Sequence, residues 1–214
     1  MKNIRLICWI FPLFFGACAY EEHSRDLADS QVSGVTLAKQ VCSACHGVTG
    51  QSTSPQFPKL AGQQKEYLQA QLTDFKGHQR TDQTGQQYMW GFTHLTPKQI
   101  DELADYFSQQ TPMVGVYHPE SKELARGETI FKMGVSNGAV IPCFSCHGPN
   151  GEGNASFPRI AGQHADYLKK QIEIFKNTSQ RPRGDIMKTV THQLSEEDML
   201  AISLYVSSLN SVKH

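Results

Sequence analysis

Cys42-Ser43-Ala44-Cys45-His46 is matched, about a hundred residues further on, by Cys143-Phe144-Ser145-Cys146-His147. Two cysteines separated by two residues and followed at once by histidine form the attachment pattern of a c-type haem. On a helix, side chains three apart share one face. The two thiols can therefore reach the two vinyl groups of one porphyrin while the adjoining imidazole is held beneath the iron. The pattern assigns Cys42, Cys45, Cys143 and Cys146 as covalent attachment points of two haem c groups. His46 and His147 follow as proximal iron ligands.

The repeat extends well beyond the motif. Phe57-Pro58-Lys59-Leu60-Ala61-Gly62-Gln63 returns as Phe157-Pro158-Arg159-Ile160-Ala161-Gly162-Gln163. Tyr67, Leu68, Gln71, Phe75 and Lys76 match Tyr167, Leu168, Gln171, Phe175 and Lys176. A unit repeated at this period is a duplicated domain. The apolar period in each copy is helical, so the fold is predicted to be all-α. Val35, Leu37, Ala38 and Val41 lead by a helix into the first motif. Tyr67, Leu68, Leu72 and Phe75 form the inward face of the next helix, with Lys65, Glu66 and Asp74 expected on its other side. A closing helix starts at Thr96-Pro97-Lys98-Gln99 and at Ser195-Glu196-Glu197-Asp198, each a hydroxyl cap with a partner three residues on. Ile100, Leu103, Ala104 and Phe107 face inward in the first copy, and Met199, Ile202, Tyr205 and Val206 in the second.

Composition narrows the setting. Twenty basic side chains balance twenty acidic ones, so no net field favours nucleic acid. Beyond the haem motifs only Cys8 and Cys18 remain, which leaves no zinc framework. Met1-Lys2-Asn3-Ile4-Arg5 followed by Leu6 to Phe15 reads as an export signal, too short to span a bilayer. Ala17-Cys18-Ala19 offers a signal-peptidase site. Phe15-Gly16-Ala17-Cys18 equally offers a degenerate lipobox, in which Cys18 would carry a lipid anchor. Both routes place the chain outside the cytoplasm. The expected layout is a signal peptide over 1–19, a polar tether over 20–33, a first domain over 34–112, a linker over 113–119 and a second domain over 120–214. The linker's apolar residues predict packing along the domain seam, and Met133 to Pro142 forms a longer loop before the second motif.

The sixth position of each iron decides the chemistry, because an open position admits gas or peroxide and a closed one leaves electron transfer. In each copy an irregular stretch before the closing helix holds a methionine, Met89 or Met187, whose soft thioether favours ferrous iron and a high potential. Met187 lies seven residues before Leu194, whereas Met89 lies six before Leu95. His94 and His192 occupy matching contexts and are the competing ligands, although a histidine at a helix start is commonly a surface group. Met113 and Met133 have no counterpart and read as structural. Each proximal histidine needs an acceptor for its other ring N–H, and Pro58 and Pro158 are the candidates.

Each half resembles a class I cytochrome c, with a helix, Cys-x-x-Cys-His, a Pro-x-Leu/Ile-x-Gly turn, a distal Met and a closing helix. The two halves together resemble the tandem diheme cytochromes c of the c-four type. The resemblance implies a periplasmic electron carrier, often membrane-associated, with one haem per domain and two domains packed for internal electron exchange. It implies His46 and Met89, and His147 and Met187, as axial pairs, with the carbonyls of Pro58 and Pro158 behind the histidines. It also implies redox-protein partners: an electron donor and a terminal oxidase or reductase. Peroxidase or thiosulfate-dehydrogenase chemistry would need an open iron with an acid/base group or a further cysteine ligand, and the sequence supplies neither motif. An electron-transfer subunit of a dehydrogenase and a redox sensor are further alternatives, the latter without a visible output domain.

Overall fold

The computed structural model describes residues 25–135, 138 and 140–210. The export signal, Cys8, Cys18 and the start of the tether lie outside the described residues. The elements are helices, joined by two isolated antiparallel bridges, Val135 with Val140 and Asn154 with Phe157.

In the first domain a helical run enters the haem motif as α1 (Gly34–Leu37), a π-helical turn (Ala38–Cys42) and α2 (Ser43–His46). It is followed by α3 (Lys65–Lys76), α4 (Gln83–Met89) and α5 (Pro97–Ser108). The second domain contributes α6 (Lys122–Met133), α7 (Phe144–His147), α8 (Ala165–Asn177), α9 (Asp185–Thr191) and α10 (Glu196–Ser208). Both closing helices begin with the expected capping box. Thr96 and Gln99 exchange side-chain and backbone hydrogen bonds at α5, and Ser195 and Asp198 do so at α10.

The first helix of each domain crosses the last, α1 on α5 and α6 on α10, and the middle helix packs against the same closing helix. Leu37, Leu68, Leu95, Leu103 and Phe107 make one core; Ile130, Phe131, Leu194, Met199 and Ile202 make the other. The crossings are close because glycine sits at the contact. A Cβ on Gly127 would lie 2.1 Å from the Ala201 carbonyl oxygen, and one on Gly34 would lie 2.9 Å from that of Gln99. Gly127→Ala is accordingly expected to destabilise the second domain by about 3 kcal/mol through overpacking. Gly91→Ala, at a site with nothing within 4 Å, should change stability by less than about 0.5 kcal/mol. Thermal unfolding of the two variants checks the pair.

The linker packs only in part, since Val114, Val116 and Tyr117 are exposed. Met113 is buried, its N–H donates to the Ala61 carbonyl, and Val116 N–H donates to the Ser207 carbonyl at 2.9 Å. Met133 is exposed at the end of α6. One expectation for α3 is corrected. Asp74 is not on a solvent face but buried, where Arg183 of the second domain grips its two carboxylate oxygens at 2.6 and 2.8 Å.

The seam repeats its contacts from both sides. The Gln163 amide pairs with the backbone N–H and C=O of Lys59, both at 2.9 Å. The Gln63 amide pairs with those of Arg159 at 2.6 and 2.8 Å. Arg80 and Arg181 each donate to both Gln71 and Gln171. Each guanidinium also lies over the matching ring of its own domain, Arg80 on Phe75 and Arg181 on Phe175.

Candidate functional site

The haem motif ends in a short helix in both domains, so the two cysteines and the histidine project from one turn and its C-terminus. His46 and His147 are buried. His46 Nδ1 meets the Pro58 carbonyl at 2.8 Å, and His147 Nδ1 meets that of Pro158 at 2.9 Å. Burial pulls both imidazoles below the ordinary histidine pKa, partly opposed by these bonds. A neutral ring whose Nδ1–H donates to a fixed carbonyl keeps the Nε2 lone pair free to bind a metal.

A single cavity of about 820 Å³ spans both domains. Its walls include Cys42, His46, Pro58 and Met89 from the first domain and Cys143, Cys146, His147, Pro158 and Met187 from the second. Cys45, which is exposed, borders a smaller adjoining pocket together with Cys42, His46 and Met89. His94 and His192 are exposed and absent from these walls; His192 Nδ1 bonds to the Thr189 carbonyl.

The two methionines are carried differently. Met89 is the last residue of α4 and a 3₁₀ turn (Trp90–Phe92) follows, whereas Met187 lies in the first turn of α9, which continues to Thr191. The shorter spacing before Leu95 is thus absorbed by where each methionine falls on its helix. The sequence reading took both segments as irregular. The first is capped by Asp82, whose carboxylate accepts the Gly85 N–H at 3.1 Å.

Asp82 also closes a buried ion pair with Arg80 at 2.6 Å. Burial alone would raise the Asp82 pKa, but the Arg80 guanidinium, the Gly85 N–H and Arg181 together hold it below the ordinary 3.8. A carboxylate with a depressed folded-state pKa contributes stability at neutral pH, and that contribution is lost as pH falls below 3.8 through the folded value. Asp82→Asn should therefore lose roughly 3 kcal/mol at pH 7 and show a flatter stability profile in acid. Chemical denaturation of the holoprotein at several pH values measures this.

The walls fit haem in polarity as well as in shape. Lys59, Arg80, Arg159 and Arg181 are buried cations on the cavity, and of these Arg80 is the one ion-paired with a buried carboxylate, Asp82, among the described residues. Arg159 Nε is buried without a hydrogen-bond partner. Each haem brings two carboxylates, for which buried cations without a carboxylate partner are suited neighbours. Sequence reasoning matched Gln71 with Gln171 without giving them a role, and it passed over Arg80 and Arg181, which recur one residue out of that register.

Two helical domains, each presenting Cys-x-x-Cys-His, a proline carbonyl behind the histidine and a methionine on one cavity, define a diheme c-type cytochrome. The cytochrome c family model matches residues 31–111 and again 124–210, and the chain belongs to that family. It is 38% identical over 185 residues to cytochrome c4 of Azotobacter vinelandii, covering 79% of this chain and 85% of the relative. It is 39% identical over 173 residues to cytochrome c-552 of Acidithiobacillus ferridurans, covering 78% and 73% of the two chains. The crystal structure of reduced recombinant cytochrome c4 from Pseudomonas stutzeri superposes with a TM-score of 0.73 at 37% identity, covering 82% of this chain and 96% of that one. Within the family the chain is of the diheme c4 type, with two covalently attached haem c groups and an electron-carrying role.

Proposed function

We propose that the protein is a periplasmic carrier that takes electrons from a redox donor and delivers them toward a terminal oxidase. In this reading Cys42, Cys45 and Cys143, Cys146 hold the haems, and His46 with Met89 and His147 with Met187 bind the irons. The domains run over 34–112 and 120–214 with the linker over 113–119. The tether over 20–33 would then join the carrier to a membrane wherever Cys18 is lipidated.

The observation that carries the reading is the pairing within one cavity of a carbonyl-fixed imidazole and a methionine in each domain. When bound, haem supplies a reversible Fe(III)/Fe(II) couple. The chain's residues do the rest. Pro58 and Pro158 fix the tautomer and tilt of the histidines, so neither ring must turn when the charge changes. Met89 and Met187 would offer each iron a soft thioether and keep water, oxygen and peroxide away from it. Arg80, Arg181 and Arg159 would supply buried positive charge toward haem carboxylates. The bonds that Arg80 and Arg181 share with Gln71 and Gln171 keep the two crevices in register for exchange between haems.

Carbon monoxide tests closure. The reduced holoprotein is expected to bind it slowly or not at all at both haems. Rapid binding at either one would show an open iron in that domain and favour enzymatic chemistry there.

A further inference from the structure

Leu27 and Val32 are the two large apolar residues between Glu21 and Ser33, a stretch that otherwise reads as polar tether. Both pack against the core cluster that holds Leu37 and Leu103. Two short turns fold the backbone that carries them. The Asp26 carboxylate accepts the Ala28 N–H and the Asp29 carboxylate accepts that of Gln31, each at 2.8 Å. The backbone carbonyls of the same two aspartates accept from Asp29 and Val32. An aspartate that bonds to the backbone two residues on is a turn former. The closing helix then ties the segment down. Gln99 is 1% exposed; its Oε1 accepts the Thr96 N–H of the capping box, and its amide nitrogen donates to the carbonyls of Asp29 and Val32 at 3.0 and 2.9 Å. Ser33 ends the segment as the N-cap of α1.

Leu27 is thereby brought to the smaller pocket, which Cys42, Cys45, His46 and Met89 also border. The second domain is built differently. Where the capping box of α5 has Gln99, that of α10 has Asp198, which accepts from Arg126 of α6 and holds no upstream segment. None of the described residues between 108 and 138 borders the cavity or the smaller pocket. Val140 and Ile141, from the longer loop before the second motif, line the cavity there.

We propose that residues 26–33 form a strap over the first haem site, and that Leu27 keeps water from that haem and so raises its reduction potential. The proposal goes beyond the carrier reading and holds whichever group is the sixth ligand, because it needs only a haem attached at Cys42 and Cys45. Ferric iron carries one more positive charge than ferrous iron, and apolar groups that replace water disfavour the more charged state. Apolar cover at residue 27 therefore favours Fe(II), and a polar side chain there moves the potential down.

The test is spectroelectrochemical titration of full-length holoproteins. Leu27→Asn, which adds no charge of its own, is expected to shift one of the two potentials downward and leave the other in place, with haem content and visible spectrum unchanged. Leu27→Met keeps the apolar cover and should leave both potentials unmoved. Val114→Asn should do the same, at an exposed apolar residue that borders neither the cavity nor the smaller pocket. Hydrogen exchange on the wild-type holoprotein gives a check that needs no variant: the Gln31 and Val32 N–H groups should exchange at least about tenfold more slowly than in a free chain. Two unmoved potentials in Leu27→Asn would overturn the proposal even if thermal stability fell, since Leu27 would then be packing alone. Equal shifts in both potentials, the same shift in Leu27→Met or Val114→Asn, or free-chain exchange at Gln31 and Val32 would overturn it as well. The carrier reading survives each of these results; it fails on rapid carbon monoxide binding by the wild type.

Discussion

A holoprotein carrying Met187→His is expected to titrate with one reduction potential lowered by a few hundred millivolts, within the roughly 0.8 V that axial ligands command. The other potential should stay nearly in place. The thioether is a weak, soft donor that favours ferrous iron, whereas a second imidazole favours ferric iron. Met187, in the first turn of α9, lines the cavity that His147 also lines, and the proposed assignment pairs the two on one iron. Met89 belongs to the crevice of His46, so a change at one methionine reaches the other haem only through the seam. Spectroelectrochemical titration separates the two couples. Equal shifts in both, or none in either, would contradict ligation by Met187.

The second large effect concerns folding. Replacing Cys42, Cys45, Cys143 and Cys146 by serine, which abolishes covalent attachment, should leave a chain without a cooperative thermal transition and with much of its helical circular dichroism lost. Leaving a crevice of about 820 Å³ unfilled opens the apolar walls of both cores to water, a heavy loss against the about 5–15 kcal/mol that holds an ordinary domain. Arg80 and Arg181 would in addition be left near each other with Asp82 as the only carboxylate paired to either. Haem is in this sense part of both cores. A serine variant that melts cooperatively with native helicity would show that the protein atoms alone sustain the fold.

Much of this was legible in the sequence because the informative features are local. The haem motif spans one helical turn, the capping boxes at Thr96 and Ser195 span four residues, and the core faces of α3, α5, α8 and α10 follow one period. Duplication then supplied a check on every reading. What escaped depends on contacts between the copies or on short helices without an apolar period. Gln83 to Met89 is mostly polar and contains Gly85, and what supports it as a helix is the Asp82 cap and its pairing with Arg80. The segment before Met187 has no such cap; it starts from a 3₁₀ turn (Pro182–Gly184). Asp74 reads as a solvent-facing charge on α3 until the other domain brings Arg183 against it. Gln63, Gln71, Gln163 and Gln171 look like ordinary surface amides in either copy alone; their partners lie across the seam.

In the proposed carrier both haems are closed, each by one histidine and one methionine. The near-infrared absorption band of methionine-to-ferric-iron charge transfer, measured on the oxidised holoprotein and scaled to its haem content, tests this most directly. Two methionine-ligated irons per chain are predicted, with half the intensity lost in Met89→His and the other half in Met187→His. Full intensity surviving either substitution, or half intensity in the wild type, would contradict the assignment.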